Sequence, residues 1–385
     1  MKPNNLLPLL FACLAGFAFS VNYTNHAPLA AALMQQFAFT KAQAGLLTSA
    51  IFLTHALLQI PGGHLADRIG GKKVILIGLL VITFGNLCIS FSSSYAQLLM
   101  WKCFIGIGTG MSFIGSARFL AQSIPHEKLA QAQGFYGASI LLGSGFVIFA
   151  VPQLASIFNW SGAFQSTAVI AGAVLLIFLL FVPAAKTVAH PHVDLRSMFL
   201  QKDLWLLGYF QAASFGLVIV IGSWINELLK MDIGFAPKTA GAIGSIVLLL
   251  GIFTRTYGGH LVAQLGIRKI IIYSMILNVL GCFMLAGVSS SFGLVFAAII
   301  FLGIGCGLPY AALFSKATKL FPGRAGAAMG LVNMLGIIMI LIGSPLLGKI
   351  ADATGSFKTS FIALGCFSIL SVLIGMLFLK TEKAS

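Results

Sequence analysis

Twelve apolar stretches, each of the length needed to cross a bilayer and joined by short polar turns, leave this chain few folds to choose from. Lipid offers no partner for an unpaired backbone amide, so a spanning segment is a helix of about 20 apolar residues. In the first half the stretches are 6–34, 44–66, 74–91, 96–121, 132–155 and 163–182. In the second half they are 204–227, 239–262, 270–288, 294–314, 325–347 and 359–379; we number them spans 1 to 12. The sizeable polar interval, 183–203, separates six from six, so the expected organisation is a bundle over 1–182, a linker over 183–203 and a second bundle over 204–385. The fold class is therefore an all-α membrane protein of two six-helix bundles. With 8% charged residues against about 25% in soluble domains, and 59% hydrophobic ones, a soluble enzyme, a nucleic-acid binder and a disordered chain are poor readings. A β-barrel is excluded as well, since its strands would be about 10 residues of strict alternation. Lys2 followed by an apolar run, with Leu10, Phe11, Ala12 and Cys13 loosely imitating a lipoprotein cleavage box, looks like a signal peptide. The run continues past Cys13 and is needed to equalise the halves, so it is read as span 1.

The halves repeat in constant register. FAFTKAQAGLLTSA from Phe37 matches IGFAPKTAGAIGSI from Ile233, aligning Phe39 with Phe235, Gly45 with Gly241 and Ser49 with Ser245 at a shift of 196. GGHLADRIGGKK from Gly62 matches GGHLVAQLGIRK from Gly258 at the same shift, and FIGIGTG from Phe104 matches FLGIGCG from Phe301 at a shift of 197. Such parallel repeats are expected of an alternating-access carrier.

The net charge of +15 reads first as topology. With both termini in the cytoplasm, sixteen Lys and Arg fall inside, five (Lys41, Lys230, Lys238, Lys349 and Lys358) fall outside, and two, Lys102 and Arg255, lie within spans. Subtracting acids leaves +11 inside, +2 outside and +2 in the spans, so the excess implies no nucleic-acid partner. The six cysteines lie in apolar runs without CxxC spacing and imply neither a metal nor redox chemistry. No cofactor is expected, and the chain is expected to act as a monomer in a cytoplasmic (inner) membrane.

Within GGHLADRIGGKK, the residues Gly63, Leu65, Asp67, Arg68, Gly70, Lys72 and Lys73 resemble the loop between helices 2 and 3 of the major facilitator superfamily, written GxLaDrxGrkx. Gly259, Leu261, Gly266, Arg268 and Lys269 look like its second-half copy, with Ala263 in place of the acid. The resemblance implies that Gly63, Asp67, Arg68, Gly70 and Lys72 act as a conformational latch. Lys102, Gly106, Gly108 and Gly110 resemble the family's RxxxGxGxG pattern, with Lys in the Arg position. Close helix packing accounts for the glycines, whose copies are Gly303 and Gly307. Lys102 has no copy, the corresponding residue being Ile299, so the unmatched cation is the functional candidate.

Ionisable residues within spans are costly and read as functional. Apart from Glu227 at the outer end of span 7, every acid falls in a loop or tail, so an anion is the expected cargo. Arg255 is the leading contact, because a guanidinium binds oxyanions in a bidentate fork. Its setting in RTYGG resembles the helix-8 Arg of nitrate and nitrite porters, while Gln59 stands where those porters have a second Arg. That departure argues against nitrate itself. Arg255 near the cytoplasmic end of its span is otherwise a snorkelling residue.

His55 lies one turn before Gln59 and is the expected proton carrier. Asn22, Tyr23, Asn25 and His26 before Pro28 form a polar cluster in span 1, resembling the helix-1 segment of anion:cation and organic-phosphate carriers. They fit substrate binding, gating or interhelical hydrogen bonding equally well. Trp224, Asn226 and Glu227 read as an interfacial belt, Asn333 as a packing or cavity residue, and His64, His126, His190, His192 and His260 as solvated loop residues.

The expected function is proton-coupled transport of a small organic or inorganic anion, with Lys102, Arg255, Gln59, His55, Asn22, Tyr23, Asn25 and His26 as substrate contacts. The alternative is a proton-driven exporter of amphiphilic drugs or siderophores, coupled through Glu227. An enzyme is not expected, since no HExxH motif, paired intramembrane acids or nucleophile elbow occurs in the spans.

Overall fold

The computed structural model describes residues 3–183, 198–287, 291–321 and 325–379, and every regular element among them is helical. Among the described residues, nine helical stretches are long and apolar enough to cross a membrane, one of them a 50-residue run, Ala132–Phe181. That run holds a residue with non-helical backbone, Asn159 at φ 59°, which separates spans 5 and 6. Spans 1 and 2 are each divided into shorter helical segments. The described helices are therefore in accord with six spans in each half.

Both breaks are written by proline. Span 1 is helical over Pro3–Val21, opens at 22–26, and resumes through a 3-10 turn, Ala27–Leu29, and the helix Ala30–Phe37. Pro28 cannot donate to the helical ladder, so the chain re-enters helix around it. Span 2 runs Lys41–Leu57, breaks at Leu58 and resumes as Gln59–Ile69, because Pro61 lacks the amide that would bond back to Leu57. Span 10 likewise breaks at Leu308 between Phe292–Gly307 and Pro309–Leu320. Span 7 carries a π-helical segment, Ala212–Gly216, between Lys202–Gln211 and Leu217–Met231.

The chain forms two compact units: Met1–Phe39 with Leu46–Pro191, and Thr40–Gly45 with His192–Ser385. Glycines let helices approach within each. A Cβ on Gly78 would stand 2.6 Å from the Gly108 carbonyl oxygen, and one on Gly108 would stand 2.6 Å from the Gly78 oxygen. Spans 3 and 4 thus touch backbone to backbone. Gly108→Val is expected to destabilise the first unit by about 1–3 kcal/mol, read as a lower melting temperature of the detergent-solubilised protein.

The repeat extends to the turns. Gly70 (φ 88°, ψ 151°) and Gly266 (φ 77°, ψ 155°), one repeat apart, each donate their N–H to the carbonyl four residues back, Ala66 at 3.0 Å and Val262 at 2.9 Å. A side chain is strained at that φ, which explains glycine in both copies. The two GGHL segments lie within helices, so His64 and His260 are on helical backbone rather than in loops. The side chains of Asp67, His64, His126 and His260 lie outside the described residues, as do His190 and His192 altogether.

Candidate functional site

In the second unit, Arg255 is 4% exposed, which speaks against the alternative in which it snorkels. Its guanidinium carbon stands 4.2 Å from the centre of the Tyr310 ring and 5.8 Å from that of Phe215. Each aromatic is delivered by an irregularity. Tyr310 follows Pro309 at the break of span 10, and Phe215 sits within the π-helical segment of span 7. Widening one turn re-aims the side chains on it and upsets the carbonyl ladder. The Ala213 carbonyl accepts from Asn278 Nδ2 at 3.3 Å, and Gln211 Nε2, just before the segment, donates to Asn333 Oδ1 at 3.3 Å. Tyr310 and Phe215 escaped the sequence reading: Pro309 was the available signal for the first, whereas a π-helical segment has no sequence signature.

One repeat earlier, in the first unit, Gln59 stands at the position corresponding to Arg255. It opens the second segment of span 2 and is 6% exposed, and neither its amide oxygen nor its amide nitrogen has a hydrogen-bond partner. Leaving both ends of a buried amide unmet costs roughly 1–3 kcal/mol for each group.

His55 lies one helical turn away but in other company. Thr109 Oγ1 donates to the Gly106 carbonyl at 3.0 Å, so it accepts from His55 Nδ1 at 3.2 Å. The Tyr23 hydroxyl lies 3.3 Å from Nδ1 and 3.4 Å from Nε2. Phe52, Phe113 and Tyr23 surround the ring. Aromatic rings and two hydroxyls thus enclose the imidazole, which is 1% exposed.

The span 1 residues are drawn inward. Asn22 Nδ2 donates to the Ala18 carbonyl at 2.8 Å, and His26 Nε2 bonds Thr48 Oγ1 at 2.9 Å, while His26 Nδ1 has no partner. Asn25 is the centre of a fully enclosed cluster. Its Nδ2 donates to Asn86 Oδ1 and to Thr167 Oγ1, both at 2.9 Å. Asn86 spends its own Nδ2 on the Ile82 carbonyl, and Thr167 spends its hydroxyl proton on that of Phe164. These commitments fix the orientation of the Asn25 amide and turn its oxygen toward Lys102.

Lys102 is completely buried, and its ammonium donates to Asn25 Oδ1 and lies 5.4 Å from the centre of the Phe164 ring. The sequence reading expected an anion contact here. Instead the ammonium is committed within the first unit, because the amide network presents it with an acceptor.

Trp224, Asn226 and Glu227 are 1%, 3% and 1% exposed, which corrects the interfacial-belt reading. The Trp224 indole donates to the Ser344 carbonyl at 3.0 Å, an inward bond that a lipid-facing tryptophan would not make. Among the described residues, no group of three or more His, Cys, Asp or Glu is disposed to hold a metal ion.

The Major Facilitator Superfamily description matches residues 12–261 and 204–385, which together span nearly the whole chain. The chain belongs to the major facilitator superfamily. It is a multi-pass membrane transporter rather than an enzyme. Its relatives include the "Nitrite extrusion protein" of Bacillus subtilis (strain 168), 24% identical over 341 residues, covering 87% of this chain and 85% of that one. The "Probable nitrate transporter NarT" of Staphylococcus haemolyticus (strain JCSC1435) is 24% identical over 358 residues, 92% of each chain. The fold is shared with a bacterial homologue of the human lysosomal transporter Spinster, at TM-score 0.82 and 17% identity, covering 98% of this chain and 97% of that one. It is shared also with a mutant form of the nucleoside transporter NupG, at TM-score 0.77 and 14% identity over 97% of this chain and 100% of that one.

Proposed function

We propose that this transporter carries a small inorganic oxyanion of the nitrate or nitrite class, together with protons, across the cytoplasmic membrane. It works as a monomer by alternating access, with both termini in the cytoplasm. The observation that carries the reading is the buried Arg255 held between Tyr310 and Phe215. A guanidinium is planar and weakly hydrated, and its fork matches two oxygens of a planar anion. The aromatic rings hold it in one orientation and exclude water, which strengthens its attraction for a weakly hydrated monoanion. The names of the two bacterial relatives point to the same chemistry.

Within the first unit, Gln59, with both amide groups uncommitted, is the polar candidate at the position that corresponds to Arg255. In the turn around Gly70, the residues Gly63, Asp67, Arg68 and Lys72 latch the transport cycle.

Purified protein in liposomes is expected to accumulate labelled nitrate or nitrite under an inward proton gradient. Both anions are also expected to raise the melting temperature of the solubilised protein, because a ligand that binds the native state stabilises it. Stabilisation by cations alone, with no anion accumulation, would sink this reading in favour of a cationic or amphiphilic cargo.

A further inference from the structure

The acids near the end of span 7 differ in one respect. Asp232 accepts from the Ser356 hydroxyl on Oδ1 and from the Phe357 amide on Oδ2. Asp352 accepts from the Lys41 amide on Oδ1 and the Ala42 amide on Oδ2. Each caps the start of a helix with both oxygens occupied, and Asp352 is exposed. Asp203 is exposed at the opposite end of span 7. Glu227 is the buried carboxylate among the described residues, at 1% exposure. Its Oε1 lies 2.5 Å from Lys230 Nζ, and its Oε2 has no partner. The preceding residue, Asn226, is 3% exposed and leaves both amide atoms unpaired.

A buried carboxylate oxygen without a hydrogen bond is expensive, and helix capping does not account for it here. Oε2 is thus an uncommitted acceptor within the protein. Lys230 retains some exposure, 16% for its side chain, so the pair is enclosed on the carboxylate side and reaches outward on the ammonium side. The helices packed against this part of span 7 belong to spans 8, 10, 11 and 12, and their ionisable residues at this end are Lys238, Lys349, Asp352 and Lys358. Arg255 lies further along span 8. Both oxygens of Asp352 are taken up by backbone amides, as are those of Asp232 by Ser356 and Phe357.

We propose that Glu227 is the proton-loading residue that couples anion movement to the proton gradient. A proton from the aqueous phase beside Lys230 adds to Oε2, forming the O–H bond and neutralising the carboxylate. Lys230 stays charged, so the pair passes from zero to +1 and offsets the −1 of a monoanion entering the protein. Loss of that proton to water at the end of the cycle restores the ion pair. Asn226, at the same level of the span, supplies uncommitted acceptor and donor groups for the neutral acid. The inference rests on the anion-transport reading and assigns it a coupling residue.

The test uses the full chain in liposomes with nitrate as the probe, comparing accumulation under an inward proton gradient with nitrate counterflow at equal pH. Glu227→Gln, a fixed mimic of the protonated acid, is expected to reduce gradient-driven accumulation at least about tenfold while counterflow falls by less than about threefold. Glu227→Asp is expected to regain part of the accumulation. A Gln variant that accumulates nitrate as the wild type does would overturn the proposal. So would wild-type counterflow with no response to the gradient. Absence of nitrate counterflow in the wild type would instead remove the anion reading itself. If the Gln variant loses counterflow as well, the Asp variant decides: regained accumulation supports the assignment, and its absence overturns it.

Discussion

Replacing Arg255 with alanine is expected to lower nitrate transport by about a hundredfold while the protein remains folded, as judged by its melting temperature in detergent. The magnitude follows from losing charge-assisted hydrogen bonds worth about 1.5–3 kcal/mol, roughly tenfold to more than a hundredfold, together with the long-range attraction of the cation. Arg255→Lys preserves the charge but loses the planar fork and its stacking on Tyr310 and Phe215, so it is expected to recover only a fraction of the activity. Tyr310→Leu keeps the guanidinium and removes the ring 4.2 Å from it. Its expected effect is a smaller loss, about 0.5–2 kcal/mol, seen as a raised nitrate KM. Wild-type transport by Arg255→Ala would show that the anion is bound elsewhere.

The second large effect is on stability. Asn25→Leu removes the hydrogen-bond acceptor of a fully buried ammonium, and stranding a buried charge costs about 3–5 kcal/mol. The protein is expected to melt at a clearly lower temperature or to accumulate poorly in the membrane. Lys102→Met in the same chain removes the stranded charge and is expected to recover most of that loss, an interaction that a double-mutant cycle reads directly. If Asn25→Leu is neutral, the ammonium is not held as the amide network implies. The cluster draws on spans 1, 3, 4 and 6, so a failure there loosens the first unit as a whole.

Several features were legible before any coordinates because they are properties of the chain read in order. Span length follows from hydropathy, the two halves from a constant shift of 196 residues, and the breaks in spans 1 and 2 have prolines beside them in the sequence. The polar turn is legible too: Gly70 and Gly266 recur because that backbone conformation excludes side chains. Arg255 drew attention in the sequence because charge within a span is rare enough to stand out, and the structure buries it.

The side-chain environments were not legible, because the partners lie far apart in sequence. Lys102 looked available for a substrate until Asn25, 77 residues away, was seen to be turned toward it by Asn86 and Thr167. His55 looked like a proton carrier because histidine titrates near neutrality; that Tyr23 and Thr109, 32 and 54 residues away, enclose its ring could not be read from the sequence. Trp224 and Glu227 looked interfacial from their place at a span end, yet the helices packed around span 7 bury them. The sequence by itself determined the membrane fold, the repeat and the family, since each is encoded in the order of apolar and polar residues along one dimension. Only the tertiary structure decided which polar groups are committed to one another and which, like Gln59 and Glu227 Oε2, are left uncommitted. Hydrogen bonding depends on distances of a few ångströms between residues that the chain separates by scores of positions.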